Sequence, residues 1–268
     1  NVRSAWTEPC PSGPMSKWRA MAKDTAMHAR LMEIYDRFYA AYGPQHWWPG
    51  DGPLEVIFGA ILTQSAAWTN VEMALAKMRS GCCWSLEAVH RLPVNDLADL
   101  VRSSGYFNAK ARKLKAFAAH VEENYQGDLA GFLAKPLAPL REELLSIHGI
   151  GEETADDIIV YAANQPSFVI DTYTRRIMDR LGMTPDSTKP KYSDYQAVFY
   201  NNLPPDTQLY NEFHALWDHH AKMACAKTPR CEGCCLLDIC PTGRSMTAKR
   251  YSGARDARGY DAQVTPTH

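Results

Sequence analysis

From residue 25 to 42 the apolar side chains Leu31, Ile34, Tyr35, Phe38 and Tyr42 recur at spacings of three and four. That spacing lays them along one face of a helix, and Pro44 stops it. The stretch 54–78 predicts two helices. The first carries Val56, Ile57, Ala60 and Ile61, the second Val71, Ala74, Leu75 and Met78. Amphipathic helices are expected at 97–102 and 109–121, a helical pair at 140–147 and 153–163, and further helices at 172–181, 193–202 and Thr207–Met223. No segment alternates as a strand would, and no repeat is visible, so the pattern predicts an all-α fold. Residues 1–24, which include a Pro-, Ser- and Gly-rich start, and 241–268, polar and Arg-containing, are expected to be tails.

Composition changes the picture in two ways. Apolar residues make up 46% of the 268, enough for a sizeable core, yet no stretch reaches the length of uncharged residues that a membrane span needs. The net charge is −1, so any contact with a polyanion must come from local basic patches or from backbone amides. Five of the eight cysteines fall between Cys225 and Cys240. A disulfide framework would spread them along the chain. Close clustering instead fits a metal site in a reducing compartment.

The run Leu144-Leu145-Ser146-Ile147-His148-Gly149-Ile150-Gly151 leads straight into Glu152-Glu153-Thr154-Ala155. Two glycines around one apolar residue permit a tight turn and close approach of another backbone. Ile150 can pin the two helices, and the amides that open the second helix suit an anion. Ala155, Ile158, Ile159 and Ala162 then form a buried stripe. Twenty residues after the second glycine, Asp171 follows three apolar residues and opens a new helix. An aspartate there caps the helix, worth about 1 kcal/mol. The same geometry keeps the carboxylate ionised, so it is also suited to stabilising a cationic sugar transition state and orienting a water.

The hairpin and the aspartate together resemble the helix-hairpin-helix (HhH-GPD) DNA glycosylase superfamily, which includes endonuclease III and the adenine-mismatch glycosylases. The resemblance covers roughly 31–240. It implies two helical domains with a DNA cleft between them. One, at 54–172, would be a six-helix barrel with the helical hairpin at 140–163. The other would join 25–53 to 173–240. It also implies base excision from double-stranded DNA by a monomeric, cytoplasmic, nucleoid-associated enzyme, with Asp171 essential. Gly149, Ile150, Gly151 and Thr154 would contact DNA.

Bifunctional members of the family carry a lysine two residues after the second hairpin glycine, where it attacks the sugar as an amine. Here that position is Glu153, which cannot form a Schiff base, so the expectation is hydrolysis without strand cleavage. A glutamate there resembles the bacterial 3-methyladenine glycosylase branch. By the same resemblance Trp48 and Pro49, next to Trp47, form one wall of a base pocket, and Trp68 forms the other. A cationic alkylated purine between indoles would gain about 0.5 to 2 kcal/mol. Gln64 matches a glutamine that fills the gap left by the extruded base, whose flipping costs a few kcal/mol. Lys110, Arg112, Lys113 and Lys115 offer phosphate contacts or a plain solvated face.

Cys225, Cys231, Cys234 and Cys240 stand at spacings that fit either zinc or an iron-sulfur cluster. They resemble the [4Fe-4S] loop of endonuclease III-like enzymes, although the first interval here is five residues, where the family usually has six. Cys235 is a spare thiol beside Cys234. Two readings compete with excision of an alkylated purine such as 3-methyladenine. One is a glycosylase for a mismatched or oxidised pyrimidine, and the other is a non-catalytic DNA-binding module.

Overall fold

In a computed structural model of the chain, residues 25–48 and 50–256 are described, with side chains through 248. The expected tail at 1–24, the end of the chain at 257–268 and Pro49 lie outside them. The described residues are helical and connecting segments, with no strand among them. They divide between two compact units.

The first unit comprises His46–Val169 and Pro204–Glu212. Its elements are α2 (Pro53–Leu62), α3 (Trp68–Ser80), α4 (Leu86–Arg91), α5 (Val94–Leu100), a 3-10 turn at Arg102–Ser104, α6 (Phe107–Tyr125), α7 (Leu129–Leu133), α8 (Leu137–Ser146) and α9 (Glu152–Asp157). Helix α2 begins at Pro53, where a missing N–H costs nothing. It buries every residue from Val56 to Leu62. A helix apolar on all sides must be surrounded, and α2 packs against α3, α6, α9 and the turn after α9. Helix α6 is one-sided, turning Leu114, Phe117, Ala118 and Val121 inward.

The second unit holds residues 25–45, Ile170–Leu203 and the chain from Phe213 onward. It contains α1 (Ala26–Tyr42), α10 (Thr172–Arg180), α11 (Tyr192–Tyr200) and α13 (Pro241–Asp256), while α12 (Thr207–Met223) divides between the units at residue 213. Thr25 caps α1 by accepting from the His28 N–H at 3.0 Å, and the helix ends at Gly43 with φ +70°. Aromatic rings fill this core edge to face, Tyr35 on Phe213 at 5.2 Å and Phe38 on Trp217 at 5.7 Å.

The structure departs from the periodicity reading in three places. Helices α4 and α7 span six and five residues, too short to show a period, and are started by side-chain caps at Ser85 and Asp128. The expected helix at 153–163 is α9 followed by a π-helical turn, Ile158–Ala162, closed by the Ala163 N–H on the Ile158 carbonyl at 2.9 Å. Helix α13 occupies part of the expected tail, with Pro at its first position and the Gly243 N–H turned onto the Cys240 sulfur at 3.3 Å. Residues 46–53 and 204–212 group with the first unit: Trp48 lies against Gly59 of α2, and Tyr210 packs on Phe168 at 5.5 Å.

Candidate functional site

The turn between α8 and α9 is built as the two glycines suggest, but they do different work. Gly149 has φ +88°, the left-handed region that disfavours side chains, whereas Gly151 has φ −96° and open space where a Cβ would go. Ile150 between them is buried. Thr154 is buried with Ala155, while Glu152 and Glu153 are exposed in the first turn. Asp156 is sealed beneath the turn, taking two hydrogen bonds from Arg141 at 2.9 and 3.1 Å and one from the Ser167 hydroxyl at 2.7 Å.

Gln64, just beyond α2, reaches this turn. Its Nε2 donates to the Gly149 carbonyl at 3.2 Å and the Thr154 hydroxyl at 2.9 Å, and its Oε1 accepts from Lys113. Gln64, Gly149 and Thr154 are therefore brought together. Lys110 is not part of that surface. It is 2% exposed, and its ammonium donates to the carbonyls of Leu62 at 2.8 Å and Ser104 at 2.5 Å. The expectation that it touches phosphate is corrected: its position in α6 turns it inward onto the end of α2. Burial, with the nearby Lys113 charge, pushes it down to about 8.

Trp47, Trp48 and Trp68 do cluster, joined by Tyr161 from the π-helical turn. Trp48 meets Trp68 edge to face, with centroids 5.4 Å apart at 85°, and stands 5.3 Å from Tyr161. Trp47 stands 6.5 Å from Trp68 at 48°. The resemblance implies one wall from Trp48 and Pro49, the latter outside the described residues, and another from Trp68. The rings instead touch, because both Trp48 and Trp68 settle on the bare backbone of Gly59. The sequence reading missed Tyr161, whose signal is a polar-tipped aromatic within an otherwise aliphatic run, and Tyr106. Tyr106 is 76% exposed with left-handed backbone at the start of α6, and its signal is the preceding glycine.

In the second unit, Asp171 is the N-cap of α10, its carboxylate accepting from the Thr174 N–H at 2.6 Å. It is half-buried and in electrostatic reach of His214. Burial pushes the His214 imidazole below its usual range, against the opposing charges of Asp171 and Asp218.

Cys225, Cys231, Cys234 and Cys240 line one pocket, open to solvent, with Arg180, His220 and Leu236. Arg180 donates to the Cys225 sulfur at 3.1 Å and to the carbonyls of Ala226 at 2.8 Å and Lys227 at 2.9 Å. Burial pushes the Cys225 thiol up, but hydrogen bonds from His220 and Arg180 outweigh it and leave the thiol below its ordinary value. Cys235 does not line the cavity; its sulfur lies 3.8 Å from the Tyr42 hydroxyl. Among the described residues no three His, Cys, Asp or Glu are grouped so as to hold a metal ion.

An all-helical fold, a glycine turn between two helices and a capping aspartate shortly after it define a class of base-excision DNA repair protein. Residues 58–200 match the family model described as HhH-GPD superfamily base excision DNA repair protein, and the chain belongs to that superfamily. It is 40% identical over 213 residues to a protein of Methanocaldococcus jannaschii named as a DNA repair glycosylase, covering 78% of this chain and 95% of that one. It is 29% identical over 185 residues to the endonuclease III of Sulfolobus acidocaldarius, covering 69% and 79%. The fold is similar to that of endonuclease III in a non-covalent DNA complex, with TM-score 0.72 and 20% identity over 82% of this chain and 98% of that one. It is also similar to that of an H. pylori 3-methyladenine DNA glycosylase bound to 1,N6-ethenoadenine, with TM-score 0.61 and 24% identity over 74% and 98%. The chain is a DNA glycosylase of the base excision repair family. No helix among the described residues is long and apolar enough to cross a membrane.

Proposed function

We propose that this protein is a monofunctional DNA glycosylase that hydrolyses the N-glycosidic bond of an alkylated purine flipped from duplex DNA, with 3-methyladenine as the leading substrate. Two carboxylates, one in each unit, support this reading. Asp171 is fixed by the Thr174 N–H at the start of α10. Glu153 stands where bifunctional members of the family carry their attacking lysine. As the bond between C1′ and the base nitrogen breaks, positive charge grows on the sugar, and the ionised Asp171 stabilises it. A water oriented by the same carboxylate adds to C1′ and passes its proton to that carboxylate. A base alkylated at N3 is already cationic and departs neutral, so no strong general acid is required. The aromatic group of Trp47, Trp48, Trp68 and Tyr161 supplies electron-rich faces for such a cation, and the exposed Tyr106 ring supplies a stacking surface for DNA. The hairpin amides take a phosphate, with Gly149, Ile150, Gly151 and Thr154 at the contact.

The four cysteines fit a [4Fe-4S] cluster better than zinc. All four line one pocket, and N–H donors from Arg180 and Gly243 face the sulfurs of Cys225 and Cys240. Cys225, Cys231, Cys234 and Cys240 would hold the cluster, which would pin the loop and take no part in excision. A second substrate reading, a mismatched or oxidised pyrimidine, is favoured by the names of the relatives, among them endonuclease III and a thymine-DNA glycosylase of Aeropyrum pernix.

The test is a panel of duplexes with single lesions, run with wild type and Asp171→Asn. Asparagine still caps a helix, so folding and DNA binding should persist while excision falls by at least about 100-fold. Release of 3-methyladenine is expected first. Release of pyrimidine lesions alone would give the second reading, and unchanged turnover in Asp171→Asn would refute the mechanism. Borohydride should trap no covalent adduct.

A further inference from the structure

The mechanism leaves Lys113 unused, yet it sits at the centre of the hairpin contacts. From α6, its ammonium donates to the Gln64 Oε1, and its aliphatic stem lies across Gly149, where its Cγ would be 2.3 Å from any added Cβ. The Gln64 amide is thereby engaged at both ends, by Lys113 on its oxygen and by Gly149 and Thr154 on its nitrogen. A glutamine held this way is not available to fill a gap in DNA until those bonds are given up.

We propose that Lys113 is a positioning residue that latches Gln64 onto the hairpin in the DNA-free protein and releases it by transferring its own ammonium to a phosphate of the docked duplex. This rests on the reading of the hairpin as a phosphate grip and of Gln64 as the residue that fills the gap. The exchange is driven by charge. A phosphate oxygen is an anionic acceptor and forms a stronger, charge-assisted hydrogen bond than a neutral amide oxygen. Lys113 is half-exposed and already lies over the turn where that phosphate would sit. The latch thus makes the freeing of Gln64 conditional on DNA at the hairpin. Lys110, one turn earlier in α6, holds the Leu62 carbonyl and so fixes the end of α2 from which Gln64 extends.

The test uses the full chain with Lys113→Met, which keeps a stem over Gly149 and removes the charge, and Lys113→Arg, which restores a cation. Two signals are read on a lesion duplex carrying 2-aminopurine opposite the lesion: the salt dependence of binding and the rate of the fluorescence change on mixing. Loss of one phosphate contact should reduce the slope of log K against log [salt] by about 0.9, so that between about 50 and 200 mM salt Lys113→Met loses roughly 3.5-fold less affinity than wild type. Its fluorescence change should be faster, because Gln64 starts unlatched. Lys113→Arg should restore both. A Lys113→Met protein with unchanged slope and unchanged rate overturns the latch, as does one that only melts at a lower temperature. Gln64→Ala separates the parent reading. If its fluorescence signal equals that of wild type, Gln64 does not enter the gap and the latch falls with that reading. If Gln64→Ala differs but Lys113→Met does not, only the latch fails.

Discussion

The hairpin region and the cysteine loop are organised on opposite principles. Around the hairpin the polar groups satisfy one another: Gln64 bridges Lys113, Gly149 and Thr154, and Arg141 and Ser167 close over Asp156. Around the cysteines the protein supplies donors, Arg180 and the Gly243 N–H, aimed at sulfurs that line a cavity. The first is complete as protein, and the second, with the cluster proposed above, would be completed by a guest. A region that is complete in itself should tolerate removal of a cofactor and be sensitive to backbone geometry, and a region shaped for a guest should show the reverse.

The largest expected effect tests that contrast directly. Replacing Cys231 by Ser should abolish the visible absorbance of a loaded cluster and expose the amides of residues 225–240 to hydrogen exchange. The amides of 140–163 should stay protected, since stability is lost locally where contacts depend on the guest. Equal loss of protection in both segments would show that the two regions are not organised differently. Iron and sulfide content measured on the purified wild type separates a cluster from zinc.

Next in size is Gly149→Ala. The alanine must hold φ +88° and meets the Lys113 stem at 2.3 Å. Left-handed strain alone costs of order 1–3 kcal/mol. Chemical denaturation should show a loss in that range or above it, and a loss under about 0.5 kcal/mol would mean the turn rearranges easily.

Much of this architecture was legible because its signals are local. The helices of α1, α6 and α12 follow from apolar spacing, the hairpin from two glycines, and the cap at Asp171 from one carboxylate before a helix. What the sequence hid are pairings between distant residues. Lys113 meets Gly149 and Gln64 across 36 and 49 positions, and neither motif points to α6. Lys110 and Lys113 read alike as surface cations. Only the three-residue offset, about one helical turn, decides that one is buried on the α2 end and the other lies over the turn. The tryptophans are read as walls from the family resemblance, which says nothing of Gly59, whose bare backbone lets both rings close in.

A smaller effect is expected from Glu143, which lies in α8 of the first unit. Burial pushes its carboxyl up, but hydrogen bonds from Lys135, Tyr125 and His120 outweigh this and hold it at about 2. Because the folded value lies below the ordinary value of 4.5, the stabilisation is complete above that value and fades as pH falls toward 2. Denaturation midpoints at pH 7 and pH 3 should therefore differ less in Glu143→Gln than in wild type. An equal difference would remove this carboxylate as a source of acid sensitivity.

The smallest stability change should come from Gly151→Ala, and it is the most informative about the hairpin. With φ −96° and nothing within 4 Å of an added Cβ, an alanine fits without strain. Removing a glycine also restricts the unfolded chain, so folding stability should hold or rise by a few tenths of a kcal/mol, up to about 1 kcal/mol. If this glycine is kept bare so that a DNA backbone can approach the turn, the methyl group will instead lower duplex affinity in a protein as stable as wild type. Gly149→Ala would then damage the fold and Gly151→Ala only the contact, two outcomes from glycines two residues apart. An alanine at 151 that leaves both stability and DNA affinity unchanged would move the phosphate contact elsewhere on the turn and leave the hairpin with a purely structural role.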